Sequence, residues 1–363
     1  MTKRRQILLM LIAIATILFS CSHKEETCSC EINFEWIKKT FEENDAGFQY
    51  IIDKKGQEVY NIHNQIILKK IKTAKTSKEC AIILNEWLKF FRLGHIGVEL
   101  ISDSSATQKS EQEELRIDNL LKPHLEELNK TTLYLCIPSF DLNKRQAIDS
   151  VLTANRNKIL KTENLIIDLR NNTGGTTRSY QSLLPFLYTN PIRIMQVEYL
   201  STPLNNQRFI DFAHSTKDNF SEDERQNLKK YYDKLQNRLG EFVTLDDEEV
   251  PTYRCDTVYK YPKNVGIIVN KYSASCAEGF LLAARQSKKV KTFGTATYGA
   301  WDILSINSVK SPCKEFELTY SLARSQYMPD MTIDDTGIQP DYFLDKTIPQ
   351  DKWVEFVNNV LNK

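Results

Sequence analysis

The chain opens with three cationic residues, Lys3, Arg4 and Arg5, followed by an apolar run from Ile7 to Phe19 that only Thr16 interrupts. That is the layout of a secretory leader, and it falls short of the ~20 apolar residues a bilayer-spanning helix needs. From Phe34 to about Phe91 apolar residues recur at helical spacing, as in Ala81-Ile82-Ile83-Leu84 leading into Trp87-Leu88 and Phe90-Phe91. This predicts a mainly helical N-terminal region. It ends at Gly94-His95-Ile96-Gly97, a turn signal before the strand-like Val98-Glu99-Leu100-Ile101. The polar stretch from Ser102 to Glu114 reads as a loop.

Beyond it the pattern changes. Thr132–Ile137, Leu165–Leu169 and Val265–Val269 are short apolar runs of the kind that fill buried strands, and Arg145–Ile159, Ser179–Leu187 and Ala277–Gln286 carry helical patterns between and after them. Strand, helix, strand in that order predicts parallel crossover units and an α/β core. Lys217–Leu239 reads as a highly charged helix outside that core, and Lys352–Leu361 as a terminal helix.

Composition adds limits. Lys and Arg number 48 against 47 Asp and Glu; without Lys3, Arg4 and Arg5 the count is 45 against 47, a net charge of −2. Such a balance carries no footprint for nucleic acid. Eight cysteines stand at 21, 28, 30, 80, 136, 255, 276 and 313. Leu18-Phe19-Ser20-Cys21 resembles the lipobox of bacterial lipoproteins, which implies cleavage before Cys21, lipidation of its thiol, and a cell-envelope protein held to a membrane by its lipid, on the periplasmic side or the outer surface. Seven cysteines then remain, so one at least stays unpaired in an oxidising compartment. Cys28-x-Cys30 reads as an incidental pair in a flexible tether, Cys136 as a core residue, and Cys255 with Cys313 as candidates for one disulfide.

Two segments carry candidate chemistry. The strand ending at Val269 runs through Asn270-Lys271-Tyr272 into a helix near Ser275, which places a hydroxyl at the carboxyl edge of a parallel sheet, beside unpaired amides of a helix N-terminus. Those donors suit an oxyanion, although a serine there also serves as an ordinary helix cap. The strand Leu165–Leu169 runs into Arg170-Asn171-Asn172-Thr173-Gly174-Gly175, where paired glycines let backbone amides point into a cleft.

Together these segments resemble the C-terminal processing, or tail-specific, protease family of serine peptidases, whose relatives include tricorn-type proteases and retinoid-binding proteins. The matching stretches are Ile167-Asp168-Leu169-Arg170-Asn171-Asn172-Thr173-Gly174-Gly175, Ser273-Ala274-Ser275-Cys276-Ala277-Glu278, Phe293-Gly294-Thr295-Ala296-Thr297-Tyr298-Gly299 and Gly337-Ile338-Gln339-Pro340-Asp341. The resemblance extends to Leu135–Phe140 and implies a crotonase/ClpP-like α/β core. It also implies Ser275 as nucleophile, three residues before Glu278, with an oxyanion hole from the amides of Gly174 or Gly175 and of Cys276. Cys276 itself is the alternative nucleophile.

The base departs from the commonest pattern. Many tail-specific proteases place a lysine directly after Thr-x-Gly; here Thr297-Tyr298-Gly299 is followed by Ala300 and Trp301. A serine needs a neighbouring base. The tricorn-like branch implies a histidine from an upstream turn, which is His95, and an acid about three residues before Gly-x-x-Pro-Asp, which is Asp334 with Asp335 beside it. That branch has a serine where Gly94 stands. About 38 residues separate His95 from Tyr134, too few for the peptide-binding PDZ domain of many relatives.

The chain therefore divides into a leader (1–20), a lipidated tether (21–33), the helical region (34–101), a linker (102–131), the protease core (132–346, with a charged insertion at 188–261) and a terminal helix (347–363). The expected activity is serine endopeptidase action on exported or envelope polypeptides, with no cofactor and no metal. The alternative is an inactive binding protein on the same fold, for a peptide or hydrophobic ligand. The oligomeric state is not legible.

Overall fold

The computed structural model describes residues 28–101, 122–216, 220–248 and 250–363. Cys21, the leader and the whole polar stretch from Ser102 to Glu114 lie outside them. Four helices come first: α1 (Cys30–Asn44), α2 (Phe48–Lys55), α3 (Gln57–Ile71) and α4 (Ser77–Leu88). Strands β1 (Gly97–Leu100), β2 (His124–Asn129) and β3 (Thr132–Cys136) lead to α5 (Arg145–Ile159) and β4 (Asn164–Asp168). The central stretch holds α6 (Leu184–Leu187), β5 (Ile192–Arg193), β6 (Val197–Leu200), α7 (Pro203–His214), α8 (Glu222–Gln236), β7 (Phe242–Thr244) and β8 (Thr252–Tyr253). Then follow β9 (Asn264–Val269), α9 (Cys276–Ala284), β10 (Val290–Gly294), β11 (Ile303–Lys310), β12 (Phe316–Ser325), β13 (Tyr342–Phe343) and α10 (Trp353–Leu361).

One sheet has the order β13-β10-β9-β4-β3-β2, parallel throughout except for the antiparallel edge strand β2. Its central strands are buried on both faces, as parallel sheets are. Leu165 and Ile167 face α5 and α9, while Ile166 and Ile268 face α10 through Trp353, Val357 and Leu361. A second, antiparallel sheet is built on β12, which pairs with β11 on one side and with β1 and then β6 along its length. The helical region is not a free-standing unit: Phe34, Phe41, Trp87 and Phe91 share one core with Phe316, Leu318, Tyr320 and Leu322 of β12.

Several expectations are corrected here. Residues 28–33, assigned to the tether, are part of the folded chain. Ser29 caps α1 by accepting from the Ile32 amide, and the two cysteines form disulfides, Cys28 with Cys313 and Cys30 with Cys80. Cys28-x-Cys30 is therefore a double staple, and Cys313 is not joined to Cys255. Cys136, expected in the core, is half-buried at the end of β3. The linker carries β2, and the insertion at 188–261 provides β6 and β7, which extend the second sheet. The charged helix spans Glu222–Gln236, capped by Ser221 and Glu224. Of the helix expected over Ser179–Leu187, only α6 (Leu184–Leu187) forms, preceded by 3-10 turns at Thr177–Ser179 and Gln181–Leu183, since Pro185 lacks the amide that a continuous helix needs there.

Candidate active site

Strands β4 and β9 are parallel neighbours, so the turns that follow them emerge side by side. Side chains lock the two turns together. The Asn270 side-chain oxygen accepts from the amides of Asn171 and Tyr272, both at 3.1 Å. Ser273, fully buried, accepts from the Asn270 amide and donates to the Leu169 carbonyl at 2.8 Å. Ser275 ends this turn with φ 55° and ψ −121°, immediately before α9. That left-handed conformation is costly for a residue with a side chain. It is held by Glu278, whose carboxylate accepts from the Ser275 amide at 2.9 Å. Gly174, at φ 99°, lies against it: a Cβ there would stand 2.7 Å from the Ser275 Cβ and 2.8 Å from the Cys276 nitrogen. No other residue type allows that approach.

His95 reaches Ser275 from the turn between α4 and β1. Its Nε2 is 3.0 Å from Ser275 Oγ, and its Nδ1 is 2.8 Å from the backbone carbonyl of Ile303. A carbonyl only accepts, so Nδ1 carries the proton and Nε2 presents its lone pair to the serine hydroxyl. Burial lowers the pKa of the ring, with the Arg92 guanidinium acting in the same direction. The imidazole is thus neutral at neutral pH.

The turn itself hangs on a buried ion pair that sequence reasoning did not single out. Arg92 donates to both carboxylate oxygens of Asp45, at 2.8 and 2.6 Å, and through Nε to the Gly94 carbonyl. Ser321 of β12 accepts from Arg92 and donates to the His95 carbonyl. An Asp and an Arg separated by 47 residues carry no local signal of pairing.

Asp334 is not brought to His95. Its Oδ1 accepts from the amides of Trp301 and Asp302, at 2.7 and 2.8 Å, while Asp302 accepts from the amides of Ile333 and Asp334 and from the Tyr327 hydroxyl. The two carboxyls clasp each other's backbones. Burial and the neighbouring Asp302 push the Asp334 carboxyl up to about 7. The clasp fixes the segment that delivers the Ile303 carbonyl to His95. Asp335, at φ 65°, accepts from the Leu93 amide at 3.4 Å and also stays off the ring.

The vacant lysine position and Gly94 are one feature. A Cβ on Gly94 would stand 2.5 Å from the Ala300 Cβ, so the histidine turn fills the space that a longer side chain at 300 would enter. Glu278, fully buried, ties down the same loop: its oxygens accept from the Thr297 hydroxyl and from the amides of Gly299 and Ala300.

The Gly174 amide is occupied by the Asn172 side chain at 2.9 Å. The amides of Gly175 and Cys276 have no partner among the described residues. The Cys276 thiol donates to the Gly175 carbonyl, and burial pushes it up to about 12; it is a protonated, buried thiol, unfit as a nucleophile. Ser275 and His95 open onto a cleft of about 900 Å³, walled by Ile194, Met195, Val197, Tyr199 and Tyr253 of the insertion and by Leu304 and Ile306 of β11. Among the described residues, no three His, Cys, Asp or Glu side chains are grouped to hold a metal ion.

The Gly94 to Ala300 approach makes a test of the geometry. Gly94→Ala is expected to displace the His95 turn and lower kcat/KM by about 10- to 100-fold, the scale of a misplacement near 1 Å, and Ala300→Gly in the same chain is expected to restore most of the loss. Steady-state kinetics of the single and double variants checks this; an inert single variant contradicts it.

The comparisons agree with this architecture. The sequence profile of peptidase family S41 matches residues 131–344. Among solved structures, a lipoprotein from Streptococcus agalactiae is 19% identical, with a TM-score of 0.52 over 94% of this chain and 99% of its own. Mature CPAF is 12% identical, with a TM-score of 0.62 over 92% of this chain and 96% of its own; its complex with lactacystin gives the same score over 92% and 98%. At these identities the likeness speaks for the fold. No curated protein matches the chain in sequence. The family profile covers more than half of the chain and the fold accords with it: the chain belongs to peptidase family S41 and is a serine-type peptidase.

Proposed function

We propose that Ser275 is the nucleophile and His95 the general base of an endopeptidase that cuts exported or envelope polypeptides. The 3.0 Å approach of His95 Nε2 to Ser275 Oγ carries this reading. As Oγ attacks the scissile carbonyl, its proton passes to Nε2. The carbonyl oxygen becomes an oxyanion, which the free amides of Gly175 and Cys276 receive; one such donor is typically worth about 100- to 1,000-fold in rate. Nε2 then protonates the leaving amine, and water, deprotonated by the same nitrogen, hydrolyses the acyl-enzyme. The Ile303 carbonyl holds the tautomer and stabilises the imidazolium, a task that a carboxylate performs in the Ser-His-Asp arrangement. Asp334 acts at one remove, by positioning the strand that bears Ile303. The apolar walls of the cleft fit an extended chain with hydrophobic side chains.

Two disulfides, one within the N-terminal region and one tying it to the turn between β11 and β12, support export, since such bonds persist in oxidising compartments. A lipid on Cys21 would then hold the enzyme at a membrane. No helix among the described residues is long and apolar enough to cross one.

A fluorophosphonate probe is expected to label Ser275, with labelling abolished in Ser275→Ala and greatly slowed in His95→Ala. Because the folded pKa of His95 lies below its ordinary 6.5, the labelling rate is expected to hold as pH falls through 6.5 and to drop only at lower pH, where the ring takes a proton. Wild-type labelling at the same rate in His95→Ala sinks the assignment.

Asp334→Asn keeps an oxygen for the Trp301 and Asp302 amides, so cleavage of an unfolded polypeptide is expected to stay within about tenfold of wild type. A loss near the 10,000-fold seen when a triad aspartate becomes asparagine contradicts the positioning role.

A further inference from the structure

A second cavity, of about 440 Å³, lies behind one wall of the catalytic cleft, within the size range of small-molecule sites. One side is a face of α5, where Arg145, Asp149, Leu152 and Arg156 follow one another at spacings of four, three and four. The other side is the segment after the Gly175 turn, with Arg178, Ser182 and Phe186. Tyr259 closes the end.

The cavity holds three guanidinium groups and a single carboxylate. Asp149 is 3.8 Å from Arg145, a long ion pair, and Arg178 is engaged by Glu224 at 2.6 Å. Arg156 has no carboxylate within ion-pair distance among the described residues. It donates to the Tyr259 hydroxyl at 2.6 Å and lies over that ring, 5.3 Å from its centre. The Ser182 hydroxyl is shut off from solvent and has no hydrogen-bond partner. A buried hydroxyl left unpaired is costly, and its residue is one of those that line the cavity. Leu152, Pro185, Phe186 and Tyr259 add an apolar and aromatic surface, beside the polar Thr153 and Gln181.

We infer that this cavity binds a small organic anion, a carboxylate or phosphate monoester carried on an aromatic or aliphatic body. Guanidinium forks match both anions, and the apolar floor selects against the bare inorganic ion. The site adjoins the cleft through a shared wall: Gln181 lines both cavities, and Thr177 and Tyr180 on the same segment line the cleft that holds Ser275. A ligand there lies against the segment that leads out of the Gly174-Gly175 turn.

Isothermal titration of the purified protein with benzoate and phenyl phosphate tests the inference, with inorganic phosphate and neutral benzyl alcohol as controls. Saturable binding of at least one organic anion is expected, with both controls at least about tenfold weaker. Arg156→Gln is expected to weaken it by about 10- to 100-fold, the loss of a charge-assisted hydrogen bond. Arg145→Gln provides a second variant, and circular dichroism of each verifies its fold. The titration is repeated in Ser275→Ala, so that the result does not depend on the catalytic assignment. Absence of saturable binding, or unchanged affinity in both folded arginine variants, overturns the site. Equal binding of inorganic phosphate or of benzyl alcohol overturns the ligand class.

Discussion

The hydrogen bond from His95 Nδ1 to the Ile303 carbonyl decides what the site can do. It fixes the tautomer, turns a lone pair toward Ser275, and does so with a backbone group that has no protonation state of its own. A carboxylate partner would raise the histidine pKa; a neutral carbonyl raises it less, and burial prevails, leaving the ring uncharged. Much of the surrounding structure keeps the two ends of that bond in place. Asp302 and Asp334 hold the strand that provides the carbonyl, and Asp45, Arg92 and Ser321 hold the turn that provides the ring.

His95 and Ser275 both sit in left-handed backbone conformations, at φ 60° and φ 55°. Such conformations persist where the surroundings over-determine them. Glu278 does this for Ser275 by holding its amide and the 297–300 loop with the same carboxylate. The Asp45–Arg92 pair does it for His95. Breaking one partner of a buried pair typically costs about 3–5 kcal/mol, so the histidine turn is bound to the stability of the whole N-terminal region.

The parallel half of the fold was legible because its strands are buried on both faces and read as unbroken apolar runs; β4, β9 and α5 appear within a residue or two of expectation. The long antiparallel strands β11 and β12 were not read. Phe316, Leu318, Tyr320 and Leu322 alternate as a half-buried strand should, but their partners lie far away in sequence, in α1–α4 and β6. The same distance hid the disulfides and the Asp45–Arg92 pair. Ser275 and His95 were singled out by the motifs that resemble the family's, and the fold brings their side chains to 3.0 Å from one another. Asp334 was placed by its spacing to Gly337-Ile338-Gln339-Pro340-Asp341, and spacing says nothing of which donors a carboxylate meets once the chain folds.

General-base action by His95 requires a neutral ring protonated on Nδ1, and nitrogen-15 NMR of the imidazole across a pH titration measures this directly. The predicted result is an Nδ1-protonated neutral ring at pH 7, becoming cationic only below the ordinary value of about 6.5. An Nε2-protonated ring, or one still cationic above that value, contradicts it.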